Sequence, residues 1–127
     1  MPHLTLEYSG NLDADMPALC VALHRTLLDS GLFEIGAPRV RALRATAWAI
    51  ADLDPDNAFV DMVLRVGQGR SAADLRALGD ALIASVTACL PVQMAGNHFA
   101  LSLEIREIDG AQSWKRNTMH ARLRAKG

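Results

Sequence analysis

Twice along this chain the apolar residues pass from a period of two to a period near 3.6 and back to two, the pattern of strand, helix, strand. Leu4, Leu6 and Tyr8 alternate with His3, Thr5 and Glu7, so a short strand starts almost at the first residue. The segment NLDADMP puts acidic residues at a helix start and Pro17 in the first turn, where a missing N–H costs nothing. Met16, Leu19, Cys20, Leu23 and Leu27 recur at helical spacing, and Gly31 stops that helix. After a turn around Gly36 and Pro38, alternation at Val40, Ala42, Thr46, Trp48 and Ile50 predicts a long strand over 39–50.

The second pass follows the turn LDPDN. Ala58, Val60, Met62, Leu64 and Val66 alternate with Phe59, Asp61, Val63 and Arg65 as a half-buried strand. Ser71, with Asp74 three residues on, has the form of a helix N-cap. Leu75, Leu78, Leu82, Val86 and Cys89 mark the inner face of that helix, which Pro91 ends. A fourth strand is read from Phe99, Leu101, Leu103 and Ile105 alternating with Ala100, Ser102, Glu104 and Arg106. The polar tail from Asp109 offers Trp114, Met119 and Leu123 as docking points on a neighbour.

These patterns predict one domain over 1–127, built of two βαβ pseudo-repeats at about 2–56 and 57–127. Right-handed crossovers place both helices on one face of a four-stranded sheet, an α+β fold of two layers. The opposite face then lacks cover. Val60, Met62, Leu64, Val66 and Leu101 supply more apolar surface than one layer of helices would use, and oligomerisation is the expected remedy.

Composition narrows the function. Thirteen basic against 14 acidic residues give net charge −1, and the arginines have no interleaved aromatic platform, so neither nucleic acid nor a membrane is an expected partner. No apolar run approaches the roughly 18 residues of a membrane span, and MPHLTLEYSG has no basic start leading to an apolar stretch; the cytoplasm is the expected location. Cys20 and Cys89 lie far apart on apolar helix positions and read as buried, inert thiols. His3, His24, His98 and His120 show no ligand spacing, so neither a metal nor another cofactor is expected. Eleven arginines against two lysines suit recognition of carboxylates by two-pronged hydrogen bonds.

Three features could carry chemistry. Gly67-x-Gly69-x-x-Ala72 follows a strand and opens a helix, like a dinucleotide fingerprint, but no acidic residue follows about 20 positions on. Exposed N–H groups and Arg70 at that helix start make a small-anion site the better reading. Arg39 and Arg41 project to one side of their strand and Arg44 to the other, so the first two, set beside Arg70, would hold a di- or tricarboxylate. Pro2 is the third. Trimming of Met1 leaves a terminal secondary amine, and an apolar pocket with cations nearby would keep it neutral at pH 7 as a proton-transfer base.

Taken together, MPHLTLEYSGNL, Arg39-x-Arg41, Trp48, AFVDMVLRVGQGRS (58–71), LSLEIREI and NTMHARL resemble the 5-carboxymethyl-2-hydroxymuconate isomerases of the tautomerase superfamily, over nearly the whole chain. The resemblance implies a homotrimer with an amino-terminal catalytic proline, acting in aromatic compound catabolism such as homoprotocatechuate degradation. It implies that Pro2 moves a proton across a conjugated enol, converting a 2-hydroxydienoate to its 2-oxo-3-enoate isomer. Arg39 and Arg70 match the arginines that grip the carboxylates and polarise the 2-oxygen. Arg41 is a further substrate-binding candidate, with a structural role also open to it. Leu43 and Arg44 stand where family members carry histidine and tryptophan, which bears on substrate choice. Two alternatives remain: a superfamily dehalogenase or decarboxylase, and a non-catalytic ferredoxin-like module binding a small anion at 67–71.

Overall fold

A computed structural model describes residues 1–126; Gly127, the last residue of the second expected unit, lies outside them. The strands are β1 (His3–Ser9), β2 (Arg39–Ala45), β3 (Ala58–Gly67) and β4 (Phe99–Ile108). The helices are α1 (Met16–Asp29), α2 (Ala72–Cys89), α3 (Pro91–Ala95) and α4 (Met119–Lys126), with a 3-10 turn at Gly110–Gln112. The sheet order is β2-β1-β3-β4. β1 runs parallel to β2 and β3 parallel to β4, and the two units meet where β1 and β3 pair antiparallel.

The local signals read in the sequence are used. The Asp15 carboxylate accepts from the N–H of Ala18 at 3.0 Å, and the Ser71 hydroxyl from the N–H of Asp74 at 3.1 Å, each meeting an otherwise unpaired donor of its helix. Gly31, with φ of +73°, takes the left-handed position just past α1. Leu4, Leu6, Val60, Met62, Leu64 and Val66 project from the sheet and are fully buried together with Leu19, Leu23 and Leu27 of α1 and Leu78, Leu82 and Val86 of α2. The Thr26 and Ser85 hydroxyls, 2.6 Å apart, join the two helices. Replacing Leu64 by alanine at the centre of β3 should cost about 2–5 kcal/mol, for the lost methyls and the cavity left behind, read by denaturant or thermal unfolding.

Four expectations need correction. β2 ends at Ala45, where the long-strand reading ran to 50. It is an edge strand whose one partner, β1, gives out at the pair Ser9–Ala45, and without a ladder the alternation at Thr46, Trp48 and Ile50 has nothing to bind. The turn leaving β1 is tight: a Cβ at Gly10 would lie 2.6 Å from the Ala45 carbonyl oxygen, and Arg44 donates to the Gly10 carbonyl at 3.0 Å. Gly10→Ala should therefore shift backbone and cost roughly 1–3 kcal/mol, seen as a lower melting temperature.

Cys89 is exposed and Cys20 half-buried. The buried stripe continues from Val86 four residues on to Leu90, leaving Cys89 off it, and Pro91 occupies the first turn of α3 as well as following α2. The apolar residues assigned to an uncovered face were also misplaced. Val60, Met62, Leu64 and Val66 are buried in this chain, and Leu101 packs beside them. The pleat and register instead put His3, Arg39, Arg65 and Arg106 in one row of the open face, with Thr5, Arg41, Val63 and Glu104 in the next. That face is largely polar. Lastly, the tail docks on its own chain: Asn117 donates to the Gly36 carbonyl at 2.8 Å, and Arg124 makes a two-pronged pair with Glu34 at 2.8 and 2.6 Å. Trp114 stays 86% exposed. No helix among the described residues is long and apolar enough to cross a membrane.

Candidate active site

The register decides what meets at the amino end of β1. His3 pairs with Arg39 on one side and Arg65 on the other, so the starts of β1 and β2 lie beside the end of β3. The loop from Gly67 to Ser71 and the segment 113–120 close over the same end. Positions 2, 39 and 70, distant in sequence, are thereby neighbours.

Pro2 is buried, and its carbonyl accepts from the N–H of Arg39 at 3.0 Å. Arg39 is turned by a hydrogen bond to the Ala37 carbonyl at 2.6 Å. Arg70 is held three ways: it donates to the carbonyls of Gly67 at 3.1 Å and Leu32 at 3.2 Å, and its guanidinium carbon lies 4.6 Å from the centre of the Phe33 ring. The tight bend before it uses Gly69, at φ of +105°, where a side chain would be strained. Arg41 lies two residues further along β2, its guanidinium 3.3 Å from His3 Nδ1; of the three candidate arginines only Arg70 lines a cavity, and Arg39 and Arg41 line neither of the two that flank residue 1. Arg44 points away, as its strand position predicts.

Two cavities flank residue 1. One of about 350 Å³ is lined by Met1, Leu32, Phe33, Glu34, Ala37, Arg70, Lys115, Asn117 and His120. The other, about 370 Å³, is lined by Met1, His3, Arg65, Gly67, Gln68, Ile108, Gly110, Ser113, Trp114 and Lys115. Each is large enough for a small organic acid.

Burial first, then the charges of Lys115, Arg70 and Arg39, push the amino group of Met1, one residue before Pro2, below its ordinary pKa. His3 is lowered as well, by burial and then by Arg41, Arg65 and Arg39, and so stands neutral at pH 7. This end of the chain penalises a charged amine and gathers fixed cations beside a cavity, surroundings that suit removal of a proton from a substrate that becomes an anion; while Met1 is present the Pro2 nitrogen is an amide.

Sequence reasoning missed Lys115, Arg65, Phe33 and His120. Arg65 was legible as a residue opposite the core face of β3; its nearness to His3 was not. Asp54, Asp56 and His98 also bring ligand-type atoms within 4.8 Å of one another, although the histidine spacing gave no sign of it. Turn structure accounts for that grouping: Asp54 accepts from the Asp56 N–H at 2.9 Å, and His98 bonds Asn57 at 2.9 Å.

Residues 2–123 match the model of the family described as CHMI, 5-carboxymethyl-2-hydroxymuconate isomerase. The chain is 33% identical over 123 residues to a 5-carboxymethyl-2-hydroxymuconate Delta-isomerase of Escherichia coli, covering 95% of this chain and 98% of that protein. A crystal structure of a 5-carboxymethyl-2-hydroxymuconate isomerase from Deinococcus radiodurans R1 superposes with a TM-score of 0.90 at 41% identity, over 95% of this chain and 92% of the other. A fused 4-OT protein, described as a symmetric trimer, shares the fold at a TM-score of 0.64 and 20% identity, over 94% and 98% of the two chains.

Proposed function

The chain belongs to the 5-carboxymethyl-2-hydroxymuconate isomerase family, and from that premise we propose that it converts an unsaturated 2-hydroxydienoate, of the 5-carboxymethyl-2-hydroxymuconate type, to its 2-oxo-3-enoate isomer. With Met1 removed, the Pro2 nitrogen takes the proton of the 2-hydroxyl. The electron pair left on oxygen forms the C2=O bond, the C2=C3 pair moves to make C3=C4, and the C4=C5 pair takes the proton back from the prolyl ammonium at C5. Atoms and charge balance without a cofactor. Arg39 and Arg70 bind the carboxylates and the developing 2-oxyanion, where fixed donors lower the barrier most. Arg41 sits a step back, orienting His3 and adding positive charge behind the carboxylate site.

The observation that carries this reading is the buried amino end, with Arg39 and Arg70 locked beside it by backbone carbonyls and by Phe33. The polar open sheet face and the fused 4-OT trimer support a homotrimer as the working form, each chain one domain. The location that fits is the cytoplasm, in breakdown of aromatic acids.

The test pairs the intact mass of the untagged protein with an assay on 2-hydroxymuconate-type dienols. Loss of Met1 with Pro2-dependent ketonisation supports the reading. Retained Met1 makes the Pro2 nitrogen an amide, and the proposed chemistry fails. The pH profile is a second check. The base must be uncharged, so kcat/KM should rise with pH and level off above the amine pKa. Pro2 is buried, and the cations that act on the Met1 amine lie one residue away, so the rise should be complete at a lower pH than for an unburied prolyl amine. A midpoint at or above the ordinary value for a prolyl amine would count against it.

A further inference from the structure

The two cavities share two residues, Met1 and Lys115. Lys115 lies on the irregular segment between the 3-10 turn and α4, exposed, and belongs to no ion pair among the described residues. Glu34 is the one acid lining either cavity among the described residues, and Arg124 already engages both of its oxygens. The charges converging here are therefore Arg39, Arg65, Arg70 and Lys115, with no free carboxylate lining either cavity to offset them. Gathering like charges around one end of the sheet, two of them half-buried, is unfavourable unless an anion joins them.

Lys115 also differs from its neighbours in kind. Arg70 and Arg39 are tied to carbonyls and can meet an acid group in one place alone. A lysine carries a point charge on a flexible stem with three donors that turn, and it can follow an acid group into either cavity.

We propose, resting on the isomerase reading above, that Lys115 is a substrate-binding residue that holds the acid group remote from the enol, so that the site selects dienols bearing a second carboxylate. Arg39 and Arg70 hold the reacting end. Lys115, which lines both cavities, holds the other.

The test uses the untagged protein as purified from cells, with adipate as an unreactive diacid and hexanoate as the matching monoacid, binding read by calorimetry. Lys115→Met should weaken adipate at least tenfold and hexanoate less than twofold, and Lys115→Arg should recover most of the loss. Kinetically, Lys115→Met should raise KM for a dicarboxylate dienol more than it lowers kcat. The melting temperature should stay unchanged, since the side chain is exposed and unpaired. Equal weakening of both acids, adipate binding within twofold of the parent, or no adipate binding by the parent each overturns the assignment. Adipate binding that depends on Lys115, in a protein that turns over no dienol, sustains the assignment and removes the isomerase reading instead.

Discussion

Pro2→Ala lowers kcat/KM for a 2-hydroxydienoate by roughly 10²–10⁴-fold, the range that a positioned general base supplies. Alanine leaves an amine at the terminus, so the loss measures the ring. Proline's pyrrolidine fixes the direction of the nitrogen lone pair and gives a secondary amine; an alanine amine rotates and is the weaker base. The fold should survive, because the bond tying this residue to β2 uses the Pro2 carbonyl and not its ring. Circular dichroism and melting should match the parent. A variant blocked by a retained methionine should fall to background for a different reason: an amide nitrogen has no basic pair. Activity of Pro2→Ala within threefold of the parent would exclude proline catalysis.

Arg70→Ala lowers kcat/KM by roughly 10²–10³-fold, the usual loss when one fixed donor to a developing oxyanion is removed. Arg70→Lys should restore little. Two carbonyls and the Phe33 ring use the fork and the flat face of the guanidinium, and an ammonium reproduces neither. Because Arg70 also joins the 67–71 loop to Leu32, some fall in melting temperature is expected of both variants. Assays are therefore run well below the melting temperature of each, with kcat and KM measured separately. A loss confined to temperatures near unfolding would make Arg70 structural alone, and full activity of Arg70→Lys would remove the two-pronged contact from the mechanism.

Much of the site was legible before the structure. Pro2, Arg39 and Arg70 were named as candidates from the resemblance and from the chemistry of a terminal amine beside guanidinium groups; the structure gives their placement, all three at one end of the sheet, and the roles of Pro2 and Arg70 are what the two variants above test. Arg41 was legible as a cation on the same side as Arg39; its guanidinium meets His3, and neither of these two arginines lines a cavity. Lys115 was invisible: it lies in a tail with no periodic pattern, and its place follows from Asn117 bonding Gly36 and Arg124 bonding Glu34. A chain with two lysines among thirteen basic residues held a hint in that rarity, but rarity names no neighbour.

What this chain settles by itself is local. Period-two alternation chose the strands, period 3.6 chose the helices, and Asp15 and Ser71 placed helix starts, because each depends on residues a few positions apart. The βαβ order went further and fixed the sheet's connectivity, since crossover handedness is set by the twist of every strand. The tertiary structure decided the rest. It ended β2 where its partner ended, rotated Cys89 off the buried stripe, and turned the open sheet face polar by the phase of the pleat. It also brought residues 2, 39, 70 and 115 together through hydrogen-bond register and tail docking. Those are relations between segments far apart in the chain, settled when the ladders and the core close at once, and no local period contains them.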